Sequence, residues 1–186
     1  RLPDRCPSCG EPVIREEGEA YLRCVDPECP AQRLRNLIHF TEKDAMDIDG
    51  LGPAVLEALV REGIIKNPDD LYTVTREDIA ALDGMGEKSA DNLLAAIDRS
   101  RQNDLWRVIY ALGIRHIGQK AAKLLAARFG TMDALIAADT DEVCRIDGFG
   151  EIMAQSVTAF FALEPSRRLV ERLAACGVNM TAQQTR

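Results

Sequence analysis

Leu82-Asp-Gly-Met-Gly-Glu-Lys-Ser-Ala-Asp-Asn-Leu-Leu-Ala-Ala-Ile97 is the stretch on which the reading of the chain turns. Gly84 and Gly86 flank one apolar residue. Ala90, Leu93, Leu94 and Ile97 then follow at i, i+3, i+4 and i+7, the spacing of a single helical face. The segment before the glycines is also helical in character, so two helices are expected around a turn too tight for ordinary side chains. Glycine supplies positive φ in such a turn and lets another backbone or an anion come close. The orphan N–H groups at the start of the second helix would point outward, with the helix dipole behind them.

One Gly-x-Gly is weak evidence, but here it recurs. Ile48-Asp-Gly-Leu-Gly52 precedes an apolar-periodic run from Pro53, and Ile146-Asp-Gly-Phe-Gly150 precedes another from Glu151. Between them, Ile114-Arg-His-Ile-Gly118 precedes Gln119-Lys-Ala-Ala-Lys-Leu-Leu125. The second glycines, Gly52, Gly86, Gly118 and Gly150, are 34, 32 and 32 residues apart, a period that marks a repeated supersecondary unit. The unit resembles the helix-hairpin-helix motif, which holds DNA by its phosphates. His116 stands where the third copy should have its first glycine. Either His116 adopts the left-handed conformation, or that hairpin opens at Gly113 and is wider.

Working outward, Thr41-Glu-Lys-Asp44 and Thr75-Arg-Glu-Asp78 read as capping boxes opening the first two units, and Thr140-Asp-Glu-Val opens the fourth. Met132 begins an extra short helix, and Pro165 begins a last helix closed by Gly177. Trp106 and Tyr110 are expected to pack in the core, and Cys144 and Cys176 to be buried as small hydrophobes. Residues 1–30 show no helical periodicity. They carry Cys6-Pro-Ser-Cys9 and Cys24-Val-Asp-Pro-Glu-Cys29, a C-x2-C and a C-x4-C pair separated by fourteen residues. Four thiolates from two knuckle turns complete a tetrahedral zinc shell and leave no open position for catalysis. Short strands near Val13 and Leu22 would form a hairpin too small for its own core, so one structural zinc would hold it. A disulfide framework fits poorly without a secretory signal.

The net charge of −7 argues against a nucleic-acid partner only as an average. Residues 99–128 hold seven Lys/Arg against one acid, and residues 129–164 hold one Arg against seven acids. A local excess of that size can form a binding face on an acidic protein. No stretch is apolar enough to span a bilayer.

A four-cysteine module followed by four such units resembles the bacterial NAD-dependent DNA ligases. Cys6-Pro-x-Cys-Gly10, His39-Phe-Thr-x-x-Asp-Ala-Met-Asp-Ile-Asp-Gly-Leu-Gly52 and Leu112-Gly-Ile-Arg-His-Ile-Gly118 are similar to that family's signatures. The resemblance covers essentially the whole chain, and it keeps the third hairpin, His116 included, as a binding hairpin. It implies a mainly α fold in which a small zinc-bound β-hairpin module precedes a helical domain of four helix-hairpin-helix motifs. The expected boundaries are a zinc module at 1–30, a linking helix at 31–40, the tandem domain at 41–180 and a frayed tail at 181–186. Cys6, Cys9, Cys24 and Cys29 would bind zinc. Gly50, Gly52, Gly84, Gly86, Lys88, Arg115, His116, Gly118, Lys120, Lys123, Gly148 and Gly150 would contact DNA.

No residue is expected to be catalytic, since the Lys-x-Asp-Gly sequence of the nucleotidyl-transfer domain is absent; the opening Arg1 in place of Met suggests an excised fragment. NAD and a divalent cation would serve the parent enzyme outside this piece. The implied partners are nicked duplex DNA and the other domains of the same ligase, with no membrane, for a monomer in the bacterial cytoplasm near the nucleoid. Two other readings stand beside this one: the DNA-binding tract of a repair nuclease or recombination factor, and a protein-interaction adaptor whose hairpins are plain interhelical turns.

Overall fold

The structure is a computed structural model and describes residues 5, 13–15, 22–24, 30–82 and 84–183. Two three-residue strands, β1 (Val13–Arg15) and β2 (Leu22–Cys24), pair antiparallel with Val13 opposite Cys24. Among the described residues every later named element is a helix. The helices are α1 (Pro30–Thr41), α2 (Pro53–Arg61), a 3-10 helix (Pro68–Tyr72), α3 (Arg76–Ala80), α4 (Glu87–Ser100), α5 (Leu105–Ala111), α6 (Gln119–Phe129), α7 (Met132–Ala137), α8 (Thr140–Cys144), α9 (Glu151–Ala162) and α10 (Glu164–Ala175).

Four helix pairs flank the four Gly-x-Gly-type turns: α1 with α2, α3 with α4, α5 with α6, and α8 with α9. The repeat is carried by the second helix of each pair. Four residues past the second glycine, Leu56, Ala90, Ala122 and Ala154 are fully buried. Each returns its N–H to the carbonyl of that glycine at 2.9–3.1 Å. Three residues further on, Leu59, Leu93, Leu125 and Val157 are buried as well. One apolar seam, repeated four times, therefore packs every second helix into a single core. The residues before the turns, Ile48, Leu82, Ile114 and Ile146, are buried with them.

The expected linking helix is the first helix of the first pair, since α1 packs on α2 and α5 and buries Leu37 and Phe40 completely. Thr41 is its last residue and opens no capping box. Its hydroxyl donates to the Ile38 and Leu51 carbonyls, so it closes one helix instead of starting another. The box at Thr75 is present, with Thr75 Oγ1 accepting from Asp78 N–H and Asp78 Oδ2 accepting from Thr75 N–H, both at 3.1 Å. In the fourth unit the cap is Asp139, which accepts from Glu142 N–H, while the Thr140 hydroxyl bonds that of Thr158 across to α9. His39 packs edge-on against Tyr110, with its Nε2 2.7 Å from the Tyr110 carbonyl oxygen.

Residues 181–183, the described part of the segment where fraying was expected, are anchored. Thr181 bridges to Thr131, Ala182 N–H donates to the Gly130 carbonyl at 2.8 Å, and Gln183 N–H donates to Asp104. Backbone groups paired in this way resist fraying through the last described residue. Gly177, at φ +92°, closes α10 as expected. Trp106 is half-buried against the core, and Cys144 and Cys176 are half-buried free thiols. Among the described residues no helix is long and apolar enough to cross a membrane.

Candidate nucleic-acid interface

All four interhelical turns have the same hydrogen bond. The residue between the two glycine positions donates its N–H three residues back, from Leu51 to Ile48, Met85 to Leu82, Ile117 to Ile114 and Phe149 to Ile146, at 3.0–3.4 Å. The third residue of each turn has positive φ: Gly50 at +87°, Gly84 at +81°, His116 at +67° and Gly148 at +92°. His116 therefore adopts the left-handed conformation in the glycine slot. Gly113, at φ +72°, ends α5 ahead of the turn, so the first half of the sequence alternative holds and the wider hairpin does not. Histidine is among the few non-glycine residues that occupy this region.

The second glycine of each hairpin plays a different part. Gly52, Gly86, Gly118 and Gly150 are the N-caps of α2, α4, α6 and α9, all in extended conformation, with φ between −78° and −97°. Any residue can adopt that backbone. A Cβ built on any of the four would meet nothing within 4 Å. Neither dihedral strain nor packing within the described residues demands glycine here, yet all four positions have it.

The caps differ as well. Thr75, Asp104, Thr131 and Asp139 close the N-termini of α3, α5, α7 and α8 with side-chain oxygens. The four hairpin helices have no side-chain cap. Their first-turn N–H donors stay available to an outside acceptor, at the end of the dipole that favours an anion.

Charge makes the hairpins unequal. Lys88 and Lys120, each two residues past the second glycine, are exposed and form no ion pair among the described residues. The fourth hairpin has exposed Ile152 at that place and the first has Ala54. In sequence the second turn position is Asp49, Asp83 and Asp147 in three units and Arg115, which is half-buried, in the other, so the third unit alone has no acid at that position. Lys123 is exposed, with its Nζ 4.6 Å from the centre of the Trp106 ring.

Two cations of the basic segment are committed to the fold. Arg101 donates to the Cys176 and Tyr72 carbonyls, and Arg107 to those of Lys43 and Ala45. The excess counted from sequence thus overstates what faces solvent. The structure adds two cations that sequence spacing missed. Lys43 and Arg99 line the cleft around residues 48–52, and Arg99 also borders the neighbouring cleft where the first hairpin meets α4. Lys43 precedes its hairpin and Arg99 comes from another unit, so no count along the chain would pair them with Gly52.

Comparison with known proteins agrees with this geometry part by part. The family profile described as NAD-dependent DNA ligase C4 zinc finger domain matches residues 5–31. The SAM-like Helix-hairpin-helix tandem matches 42–99, and the Helix-hairpin-helix motif matches 107–170. A DNA ligase of Clostridioides difficile is 47% identical over 96% of this chain, and one of Symbiobacterium thermophilum is 48% identical over 98%. These matches indicate a fragment of a DNA ligase. The chain spans about a quarter of those relatives, 27% and 28% of their lengths.

The ligase match is continuous through the zinc-finger segment and the hairpins alike, which disfavours both the nuclease tract and the adaptor. Of the expected zinc ligands, Cys6, Cys9 and Cys29 lie outside the described residues, and only the backbone of Cys24, at the end of β2, is described. Among the described residues no cluster of His, Cys, Asp and Glu has the geometry of a metal site.

Proposed function

We propose that this chain grips duplex DNA, without reading its sequence, as the DNA-holding segment of an NAD-dependent ligase that seals nicks in replication and repair. Nucleotidyl transfer, NAD and the divalent cation belong to other domains of that enzyme. The observation that carries the reading is the set of four second glycines, which the fold does not require and which stand beside four uncapped helix starts. A phosphate oxygen is the acceptor that such a start favours, and a missing side chain lets it approach the backbone.

The gripping residues are Gly50, Gly52, Gly84, Gly86, Gly118, Gly148 and Gly150 with His116 for the backbone, and Lys88, Arg115, Lys120 and Lys123 for charge. Contacts of this kind position a protein and carry no base information, which suits nicks arising at any sequence. The protein works as a monomer within the larger enzyme, in the cytoplasm by the nucleoid.

Cys6, Cys9, Cys24 and Cys29 hold one structural zinc. The strand register supports this ligand set. Val13 opposite Cys24 puts the chain arriving from Cys9 and the chain leaving toward Cys29 at the same end of the hairpin. Bound there, zinc supplies folding energy and no chemistry, because four thiolates fill its shell.

Fluorescence anisotropy with two duplexes of unrelated sequence, at several salt concentrations, tests the grip. Equal affinities with a steep salt slope are expected. A strong preference for one sequence, or affinity that ignores salt, would refute it.

A further inference from the structure

A second concentration of unmatched polarity lies at the far end of α9 from its hairpin. Arg33 of α1, Lys66 ahead of the 3-10 helix, and Arg168 and Arg172 of α10 line one cleft of about 120 Å³. Phe160, Leu112 and Leu169 form its apolar wall. Phe160 stands ten residues along α9 from Gly150, about 15 Å at the usual helical rise.

Positive charge in the cleft is incompletely answered by the chain itself. No carboxylate lines it. Glu164 engages Arg168, and Asp69 interacts with Arg172. Arg33 and Lys66 have no carboxylate partner among the described residues. Arg33 Nε is buried without a hydrogen-bond partner. Ser166 also lines the cleft. It is only 7% exposed, and its hydroxyl makes no hydrogen bond among the described residues. It sits in the first turn of α10, a twelve-residue helix whose N-cap, Leu163, offers no side-chain acceptor. A buried donor without an acceptor is costly, as Arg33 Nε is here, and around it converge the exposed Lys66 ammonium, the Ser166 hydroxyl and a helix start.

We propose that this cleft binds a small phosphomonoester, with the phosphate held by Arg33, Lys66, Arg172 and Ser166 and the organic body against Phe160 and Leu169. A phosphate matches this donor set better than a carboxylate does. It carries up to two negative charges, accepts the bidentate fork of arginine, and suits a helix N-terminus. The apolar wall has no use for a bare inorganic ion, which is why the ligand carries a body. This inference does not depend on the DNA-gripping role of the hairpins.

Backbone amide NMR of the whole chain, titrated at constant ionic strength with phenyl phosphate, inorganic phosphate and phenol, tests it. Phenyl phosphate should give saturable shifts at Phe160 and at residues 166–169, bind more tightly than inorganic phosphate, and outcompete phenol. Ser166→Ala should weaken it about three- to tenfold, the loss of one hydrogen bond. Arg172→Gln should weaken it by more than about tenfold, with the loss of a charged partner, and thermal melts would verify that both variants are folded. Shifts that never saturate, equal binding of phosphate and phenyl phosphate, or affinity unchanged in both variants would overturn the proposal. So would shifts confined to the four hairpins, or displacement of phenyl phosphate by duplex DNA, since the anion would then belong to the DNA surface.

Discussion

Gly118→Ser separates what the fold needs from what a phosphate needs. Gly118 caps α6 at φ −87° and ψ −170°, and its absent side chain would meet nothing within 4 Å. Serine is a better N-cap than glycine by a few tenths of a kcal/mol. It also removes about 0.4–1 kcal/mol of unfolded-state freedom when, as here, the native backbone suits it. The variant should therefore be as stable as the parent or up to about 1.5 kcal/mol more so, a rise of a few degrees in Tm for a chain of this size.

DNA binding should move the other way. The new hydroxyl takes up the first-turn N–H groups and occupies the approach, so one phosphate contact is lost. Hydrogen bonds to a charged group contribute about 1.5–3 kcal/mol, roughly ten- to a hundredfold in Kd. The slope of log K against log salt should fall by about 0.9. Gly84→Ser is the control: at φ +81° it should cost about 1–2 kcal/mol of stability, because an L residue is strained there. Thermal melts and anisotropy on one random duplex read both quantities. If Gly118→Ser destabilises by more than about 1 kcal/mol, the fold needs that glycine after all. If it binds DNA like the parent, the open space is not kept for a phosphate.

Charge should rank the hairpins. Lys120→Glu should weaken duplex binding and flatten its salt slope by about 0.9 per lost contact, whereas Ile152→Glu, also at an exposed position, in the fourth hairpin, should change anisotropy curves little. Lys43→Ala with Arg99→Ala should weaken binding in the same assay, because both side chains line the cleft at the first hairpin; unchanged affinity would remove that hairpin's cations from the interface. Cys24→Ser should release zinc, measured by elemental analysis, while the helical circular dichroism signal persists. Burial pushes the Tyr72 phenol up to about 12. The folded state then binds the more protons between pH 10 and 12, so Tyr72 stabilises below pH 10 and that contribution is lost as pH rises toward 12. Tyr72→Phe should erase this alkaline component from melts taken at pH 9 to 12 and cost about 1 kcal/mol below it, through the lost 2.8 Å bond to Ser100.

The repeat was legible because two physical demands print directly on sequence. A positive φ selects glycine, and a buried seam selects apolar residues at i+4 and i+7 past the N-cap. Both recur at the period of the unit, so Gly50, Gly84 and Gly148 could be placed by inspection, and His116 too once its slot was known. The misread ends had a different cause. Thr41 satisfies the letters of a capping box, but its hydroxyl is drawn to carbonyls of its own helix and of Leu51 by burial that only the packed fold creates. Thr181 and Ala182 look like a polar tail, yet they pair with Thr131 and Gly130, some fifty residues away in sequence. Local patterns do not encode such long-range pairings. Nor do they separate Arg101 and Arg107, which serve the fold's own carbonyls, from Arg99, which faces a hairpin cleft.

That last distinction bears on how an acidic chain can hold a polyanion. Backbone donors at the four hairpins are equivalent in geometry, so geometry alone would spread the grip evenly. The tips are not equivalent in charge. In sequence an aspartate holds the second turn position of three units and Arg115 that of the other, and exposed lysines follow two residues past Gly86 and Gly118 only. Each aspartate lies within a few residues of the N–H groups that a phosphate would use, and like charge at that distance opposes binding at low salt more than at high salt. The third hairpin should therefore dominate at low ionic strength. The four should become more nearly equal as salt screens their tips, while total affinity falls. Measuring the ratio of the Kd of Gly118→Ser to that of Gly150→Ser across salt makes this visible, because the ratio should start above one and shrink toward unity as salt rises. A ratio that stays constant would mean that the aspartates are already neutralised by the fold, and that backbone geometry alone sets each hairpin's share.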